Sequence, residues 1–136
     1  MSTTIGFEIY LDASYDQSVN MENEALKSEG FGVLTSIDVR STFKKKLGED
    51  FRPYVIIGAC NPPLAYKALT SDPRVGLMLP CNVTVEALPE GGSFVRIVDP
   101  EVMMRIGPLE GSREMDDLAK EARVRLERVA EILQTK

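Results

Sequence analysis

The feature that most constrains the fold of this chain is a pair of β-like segments joined by a tight turn. Residues 75–88 and 93–98 are rich in aliphatic and β-branched side chains, and Pro89-Glu-Gly-Gly92 lies between them. Two strands joined by so short a turn pair antiparallel, so the sheet cannot be wholly parallel. Pro80 has no N–H to give to a sheet ladder, and we therefore expect the first segment to bulge, to bend or to lie at a sheet edge there.

Three further β-like segments precede this hairpin, at residues 5–11, 31–37 and about 53–59. The first alternates apolar and polar side chains, which is typical of a strand with one buried face. The third has a continuous apolar centre, which indicates burial on both faces or a central place in the sheet. Parallel βαβ units could be drawn from these three segments, but the hairpin favours a mixed or antiparallel sheet.

Helices are predicted between the strands, because each gap opens with a capping residue. The N-caps are Ser14, which forms a capping box with Gln17, then Asp38, and then Asn61, which is followed by two prolines. The predicted helices cover residues 14–29, 38–47 and 61–72. A short fourth helix is expected at 99–105, followed by a break at 107–111.

The first helix carries only a thin apolar stripe, formed by Tyr15, Val19 and Leu26 with Met21 or Glu22 between them. The last helix, which starts at Ser112, is strongly amphipathic. Its apolar residues recur every three or four positions and are Met115, Ala119, Ala122, Leu126, Val129 and Leu133. Since this stripe spans fewer than three heptads, it favours packing on the sheet over a coiled coil.

These elements predict one α+β domain over residues 1–136, in which helices back one face of the sheet. No apolar run is long enough to span a membrane, and the start of the chain lacks the pattern of a signal peptide. We therefore expect a soluble cytoplasmic protein that does not engage a membrane. The formal net charge of −5 and a single run of three lysines, at 44–46, also argue against a nucleic-acid partner.

The chain contains no histidine, which excludes several classes of active site. Ser-His-Asp and Cys-His nucleophile systems, His-ligated zinc and histidine proton shuttles all need that residue. No catalytic residue is assigned, and a hydrolase or transferase ranks last among the hypotheses for function. The Met103-Met104 pair is interpreted as core filling rather than as a metal site.

The two cysteines are the residues most suited to chemistry. Cys60 directly precedes the helix cap Asn61, where the helix dipole is expected to lower the thiol pKa, and Cys81 follows the chain-bending Pro80. A helical connection could bring the two thiols together. They would then form a redox pair or bind a soft metal such as Cu(I), with Met78 as a thioether ligand. The alternative is that both are buried hydrophobic residues without reactivity.

Several sequence blocks resemble a known family. They are Gly-Phe-Gly-Val-Leu-Thr-Ser-Ile-Asp-Val (30–39), Phe-Arg-Pro-Tyr (51–54), Ile-Gly-Ala-Cys-Asn-Pro-Pro-Leu-Ala-Tyr-Lys-Ala-Leu (57–69), Gly-Leu-Met-Leu-Pro-Cys-Asn-Val (76–83) and Val-Asp-Pro (98–100). In these blocks the chain is similar to the family called domain of unknown function 302. The resemblance implies a helix-backed sheet like that of TATA-binding protein and a tendency to form homodimers. It implies no activity, and a shared fold alone is no argument for DNA binding.

The family pattern emphasises the segments that hold Cys60, Asn61, Pro62, Pro80 and Cys81, and these five are the candidate ligand-binding residues. The first hypothesis is a homodimeric, non-catalytic binding module whose pocket lies around residues 58–64 and 78–83. The second is a redox or soft-metal protein that uses Cys60 and Cys81. The first hypothesis needs no cofactor, and the ligand of either is a small molecule or a metal of unknown identity.

Overall fold

A computed structural model describes residues 5–105 and 112–135. Its strands are β1 Gly6–Leu11, β2 Gly32–Asp38, β3 Tyr54–Cys60, β4 Cys81–Ala87 and β5 Ser93–Val98. Its helices are α1 Tyr15–Ser28, α2 Val39–Leu47, α3 Pro62–Ser71, α4 Pro100–Met103 and α5 Arg113–Gln134, with a 3₁₀ helix at Pro73–Met78. The break that the sequence predicts at 107–111 lies outside the described residues.

The five strands form one sheet in the order β1-β5-β4-β3-β2, and each neighbouring pair is antiparallel. The α+β class, the hairpin β4–β5 and the antiparallel alternative are thereby confirmed. The segment formed by α3 and the 3₁₀ helix returns the chain to the adjacent antiparallel strand, so no parallel βαβ unit forms between β3 and β4.

The local signals for helix ends are confirmed. Ser14 and Gln17 form a capping box, and the side chains of Asp38 and Asn61 accept hydrogen bonds from the backbone N–H groups of Ser41 and Leu64. These bonds satisfy donors that have no partner within the helix. Side-chain caps also begin α4 and α5.

The prediction for residues 75–88 is wrong in one respect. Residues 73–78 form a 3₁₀ helix, and the strand begins only at Cys81, after the cis peptide bond between Leu79 and Pro80. The proline therefore bends the chain but needs no ladder hydrogen bond, and β4 takes the central position of the sheet instead of an edge. Val75 is fully buried, so packing holds this apolar segment in a turn of helix.

One face of the sheet packs against α1 and α5 and forms the main core, which contains Val83, Val85, Val95, Leu126 and Val129. The expectation that α5 lies on the sheet is thereby confirmed. A second core cluster lies beside it, where the start of α5 meets α3 and α4. Its buried residues are Ala68, Val75, Met104, Met115 and Ala119.

The buried face of α1 agrees with the predicted stripe at Leu26 and at the Glu22 alternative but differs from it at Tyr15 and Val19. Ser18 and Glu22 are fully buried beside Leu26, whereas Tyr15 and Val19 are only partly buried. Burial raises the pKa of Glu22 to about 8, and the Ser18 hydroxyl has no hydrogen-bond partner. Hydrophobicity alone could not predict this face, because the position of the sheet determines which side of α1 is covered.

The opposite face of the sheet carries a cluster of charges. The carboxylate of Glu86, which is almost fully buried, accepts hydrogen bonds from Arg96 and from Arg52, the latter at 2.6 Å from Nε. Arg96 also donates from Nε to Glu8, at 2.6 Å. Both arginines are therefore held by acidic side chains.

The edge formed by β2 and α2 contributes nothing to either core. No residue of these two elements is buried, and Leu34 and Leu47 are 64% and 67% exposed. β2 is held by its pairing with β3, which shifts register between Val33 and Thr35. None of the helices in the described part of the chain is long and apolar enough to cross a membrane.

Candidate functional site

A pocket lies where the two core clusters meet. Its cavity has a volume of about 50 Å³ and opens to solvent at its mouth. Strand residues and α3 line one part, and α4 and α5 line the rest. The lining residues are Phe31, Ala59, Cys60, Asn61, Leu64, Ala65, Ala68, Leu79, Cys81, Pro100, Met104, Met115, Leu118, Ala119 and Ala122. Apart from one amide and two thiols, every side chain in this lining is apolar.

The structure brings both cysteines to this pocket. Cys81 begins β4 directly opposite Ala59, and Cys60 is the next residue along β3. Both are free thiols; Cys81 is buried and Cys60 is half-buried. Both cysteines therefore line one pocket from paired strands, with α3 and the 3₁₀ helix between them in sequence.

The predicted activation of Cys60 is wrong. Burial raises the pKa of the Cys60 thiol, instead of the helix lowering it. The side-chain oxygen and the carbonyl of Asn61 accept hydrogen bonds from the N–H groups of Leu64 and Ala65. The first turn of α3 therefore directs these donors to its own cap and not to the thiol. Burial and the nearby Cys60 together raise the pKa of Cys81 to about 11.

Asn61 is the third predicted site residue that lines the pocket. It is buried, and its side-chain nitrogen lies 3.0 Å from the position that a Cβ on Gly30 would occupy. Gly30 also has a φ of 83°, which favours glycine. The end of α1 is thus packed directly against the start of α3.

The two prolines of the predicted site do not line the pocket. Pro62 occupies the first turn of α3 and is exposed. Pro80 lies behind the pocket, where its ring packs against Gly58. Their contribution is to shape the backbone that carries Cys60 and Cys81.

Sequence reasoning missed two sulfur atoms of the site. Met104, at the end of α4, and Met115, in the first turn of α5, are buried and line the pocket. Met78, which the sequence suggested as the thioether ligand, packs against the second core cluster and does not line the pocket. Met115 belongs to the apolar stripe of α5, but only the docking of that helix against α3 shows which stripe residues border a pocket.

The remaining carboxylates suggest no metal centre. Asp38, Asp72 and Asp99 accept hydrogen bonds from nearby backbone N–H groups at helix starts. Over residues 5–105 and 112–135, no group of three or more His, Cys, Asp or Glu side chains is arranged to hold a metal ion. A metal in this part of the chain would need other donors.

Comparison with known proteins identifies the family and supports the fold of the chain. Residues 7–133 match the family model described as "Domain of unknown function DUF302". The fold is similar to the crystal structure of an uncharacterized conserved protein DUF302 from Bacillus stearothermophilus, with a TM-score of 0.82 and 26% sequence identity over 94% of this chain and 97% of the other. No curated protein matches the chain.

Proposed function

Because the chain belongs to the DUF302 family, whose name assigns no activity, we propose from its own site that it is a non-catalytic binding protein of the cytoplasm. It holds a small ligand in the pocket lined by Cys60, Asn61 and Cys81, and it works as a homodimer. The observation that carries this proposal is the pocket itself, whose lining includes residues of the segments 58–64 and 78–83 where the sequence predicts a binding site.

The lining of the pocket supports binding of an apolar or soft ligand. Binding sites for small molecules are concave and mostly apolar, with few polar groups that fix orientation. Here Asn61 supplies the amide, and Cys60 and Cys81 supply two weakly polar thiols. A strongly charged ligand would lose its hydration without gaining an ionic partner from this lining.

The state of the thiols supports binding over catalysis. The reactive form of cysteine is the thiolate, but the pKa of both thiols is raised, so both stay protonated at neutral pH. The chain has no histidine to take the proton, and no carboxylate or lysine lines the pocket. Free thiols also suit the reducing conditions of the cytoplasm.

The exposed edge supports the homodimer. β2 is an edge strand with three large apolar side chains at least 43% exposed, Val33, Leu34 and Ile37. Natural edge strands are blunted by lysine, proline or bulges; β2 has the register shift but neither lysine nor proline. A second copy packed against β2 and α2 would cover this apolar surface.

Native mass spectrometry of freshly purified protein, followed by titration with benzene and 1-hexanol, tests the pocket. Ala122→Leu places a larger side chain in the lining, and Val124→Leu is the matched control on the exposed side of the same helix. We expect the probes or a copurified ligand to bind the parent chain and the Val124→Leu variant but not Ala122→Leu. Equal binding by both variants, or no binding by the parent chain, would overturn the proposal.

Sedimentation velocity tests the dimer. Leu34→Lys and Ile37→Lys charge the proposed interface, and Tyr66→Lys charges a more exposed site on α3. A dimer that is lost only in the β2 variants supports the proposal. A monomeric parent chain at micromolar concentration contradicts the dimer, and a dimer that survives both β2 variants contradicts its location.

A second candidate function is a thiol-based redox or soft-metal protein. The observation that favours it is the placement of Cys60 and Cys81 on paired strands in one pocket, close enough for the charge of one to raise the pKa of the other. Anaerobic titration with Cu(I) tests the metal form, with Cys60→Ala and Cys81→Ala as variants. Thiol oxidation tests the redox form. If the thiol that remains in each variant is oxidised as it is in the parent chain, the two cysteines do not form a redox pair.

A further inference from the structure

The pocket holds four sulfur-containing side chains, two from strands and two from helices. Cys60 and Cys81 come from the adjacent ends of β3 and β4, Met104 caps the end of α4, and Met115 lies in α5. The methionines belong to the second core cluster and Cys81 to the main core, and all of them border the pocket that lies between these clusters.

We propose that this pocket is a site for a soft monovalent cation, Cu(I) by preference, in which Met104 and Met115 act as thioether ligands beside the two thiolates. This inference rests on the soft-metal candidate above and adds the residues that determine selectivity.

The donor chemistry favours this class of ion. Thiolate and thioether ligands select Cu(I), whereas Mg²⁺ and Ca²⁺ require several oxygen donors. The lining has no carboxylate and no imidazole, and the Asn61 side-chain oxygen already accepts the N–H of Leu64. Zinc prefers four thiolate, imidazole or carboxylate donors, and this pocket has only two such groups.

Burial determines the protonation state of the two thiols in the metal-free site and limits the charge that the metal-bound site can hold. Without metal, both thiols keep their protons and the apolar lining holds no charge. Binding of one Cu(I) releases one proton from Cys60 and one from Cys81 and forms two copper–sulfur bonds, and copper stays in the +1 state throughout. The bound centre carries a net charge of −1, which costs less to bury than the charge of −2 that two thiolates would carry without the metal.

Neutral thioethers suit this centre because they add donors without adding charge. Two further thiolates would raise the buried negative charge, whereas Met104 and Met115 complete the coordination with polarizable sulfur. Their position is also fixed by packing, since Met115 is 1% and Met104 is 7% exposed.

The experiment is an anaerobic competition between the whole chain and a chromophoric Cu(I) chelator, for the parent and three variants. Met104→Leu and Met115→Leu keep the size and apolar character of the side chain but remove the sulfur. Met78→Leu is the matched control, because Met78 packs against the same cluster without lining the pocket. We expect one Cu(I) per chain, two protons released, and affinity reduced by roughly tenfold or more in each pocket variant, as when supporting groups of metal sites are lost.

Copper-edge X-ray absorption on selenomethionine-substituted protein identifies the ligands directly. Selenium neighbours of copper that vanish in the double variant Met104→Leu/Met115→Leu support the inference. Copper bound with sulfur but no selenium neighbours, or affinity unchanged in both pocket variants, overturns the thioether role and leaves a two-thiol site. A parent chain that binds no Cu(I) overturns the soft-metal function as well, while the binding of benzene or 1-hexanol still tests the apolar pocket separately.

Discussion

The ring of Pro80 lies against Gly58, so close that a Cβ on Gly58 would stand 2.6 Å from the proline Cγ. The same Cβ would also clash with the hydroxyl of Thr35 on β2. Glycine at this point of β3 therefore lets the bend before β4 pack onto the sheet, one residue from the lining of the pocket.

We predict that Gly58→Ala destabilises the fold by about 1–3 kcal/mol, because the added methyl group forces the proline and threonine to move. Gly32→Ala is the control, since a Cβ at Gly32 meets no atom within 4 Å. Urea unfolding followed by circular dichroism measures both. Equal stability of the two variants would mean that the bend adapts to a side chain.

A second prediction concerns the buried carboxyl of Glu22. Its pKa is raised to about 8 by burial, whereas an ordinary glutamate in the unfolded chain titrates near 4.5. The folded state thus binds the proton more tightly, and its contribution to stability is complete below pH 4.5 and is lost as the pH rises through 8. We expect Glu22→Gln to be more stable than the parent chain at pH 8.5 and to lose less stability between pH 5 and pH 8.5.

The control for this pH dependence is Glu24→Gln, which changes an exposed glutamate on the same helix. Thermal unfolding between pH 5 and pH 8.5 measures the stability of the parent chain, the Glu22→Gln variant and the Glu24→Gln variant. The explanation fails if the parent chain and the Glu22→Gln variant lose stability in parallel.

A third prediction concerns Glu86. Burial raises its pKa, but the hydrogen bonds from Arg96 and Arg52 outweigh burial and leave the pKa below its usual value. The stabilisation from this carboxylate is present above the unfolded pKa and is lost as the pH falls through the lower folded value. We expect Glu86→Gln to cost about 2 kcal/mol at pH 7, in the range for hydrogen bonds to charged groups, and to cost less in acid.

Glu8→Gln serves as the comparison for Glu86, because Glu8 contacts only Arg96 among the two arginines and is more exposed. Its loss should cost less than half as much. Denaturant unfolding at pH 7 and pH 4 gives both values, and a larger effect at Glu8 would show that burial of Glu86 adds no strength to these bonds.

Signals carried by neighbouring residues predicted the structure well. Ser14 with Gln17, Asp38 with Ser41 and the Pro89–Gly92 turn each depend on atoms a few residues apart, so their sequence patterns suffice. The antiparallel hairpin followed from the turn, and the placement of α5 on the sheet followed from the period of its apolar residues.

Properties that depend on distant residues could not be predicted in the same way. The helix dipole at the start of α3 was expected to lower the pKa of the Cys60 thiol. Burial raises this pKa instead, and burial depends on elements that lie far away in sequence. Met115 and Cys81 are 34 positions apart, and no spacing rule indicates that they border one pocket. A bulge, a bend and an edge position all remained open at Pro80, because the sequence shows a missing donor but not whether the strand has already begun.

Glu22 also changes how the charge of this protein should be counted. The formal value of −5 treats every acidic side chain as ionised. With a pKa of about 8, Glu22 is neutral in roughly nine of ten folded molecules at pH 7, so on this count the folded net charge is −5 + 1 = −4. Folding at neutral pH therefore takes up close to one proton from solution, and the heat of folding will depend on the ionisation enthalpy of the buffer.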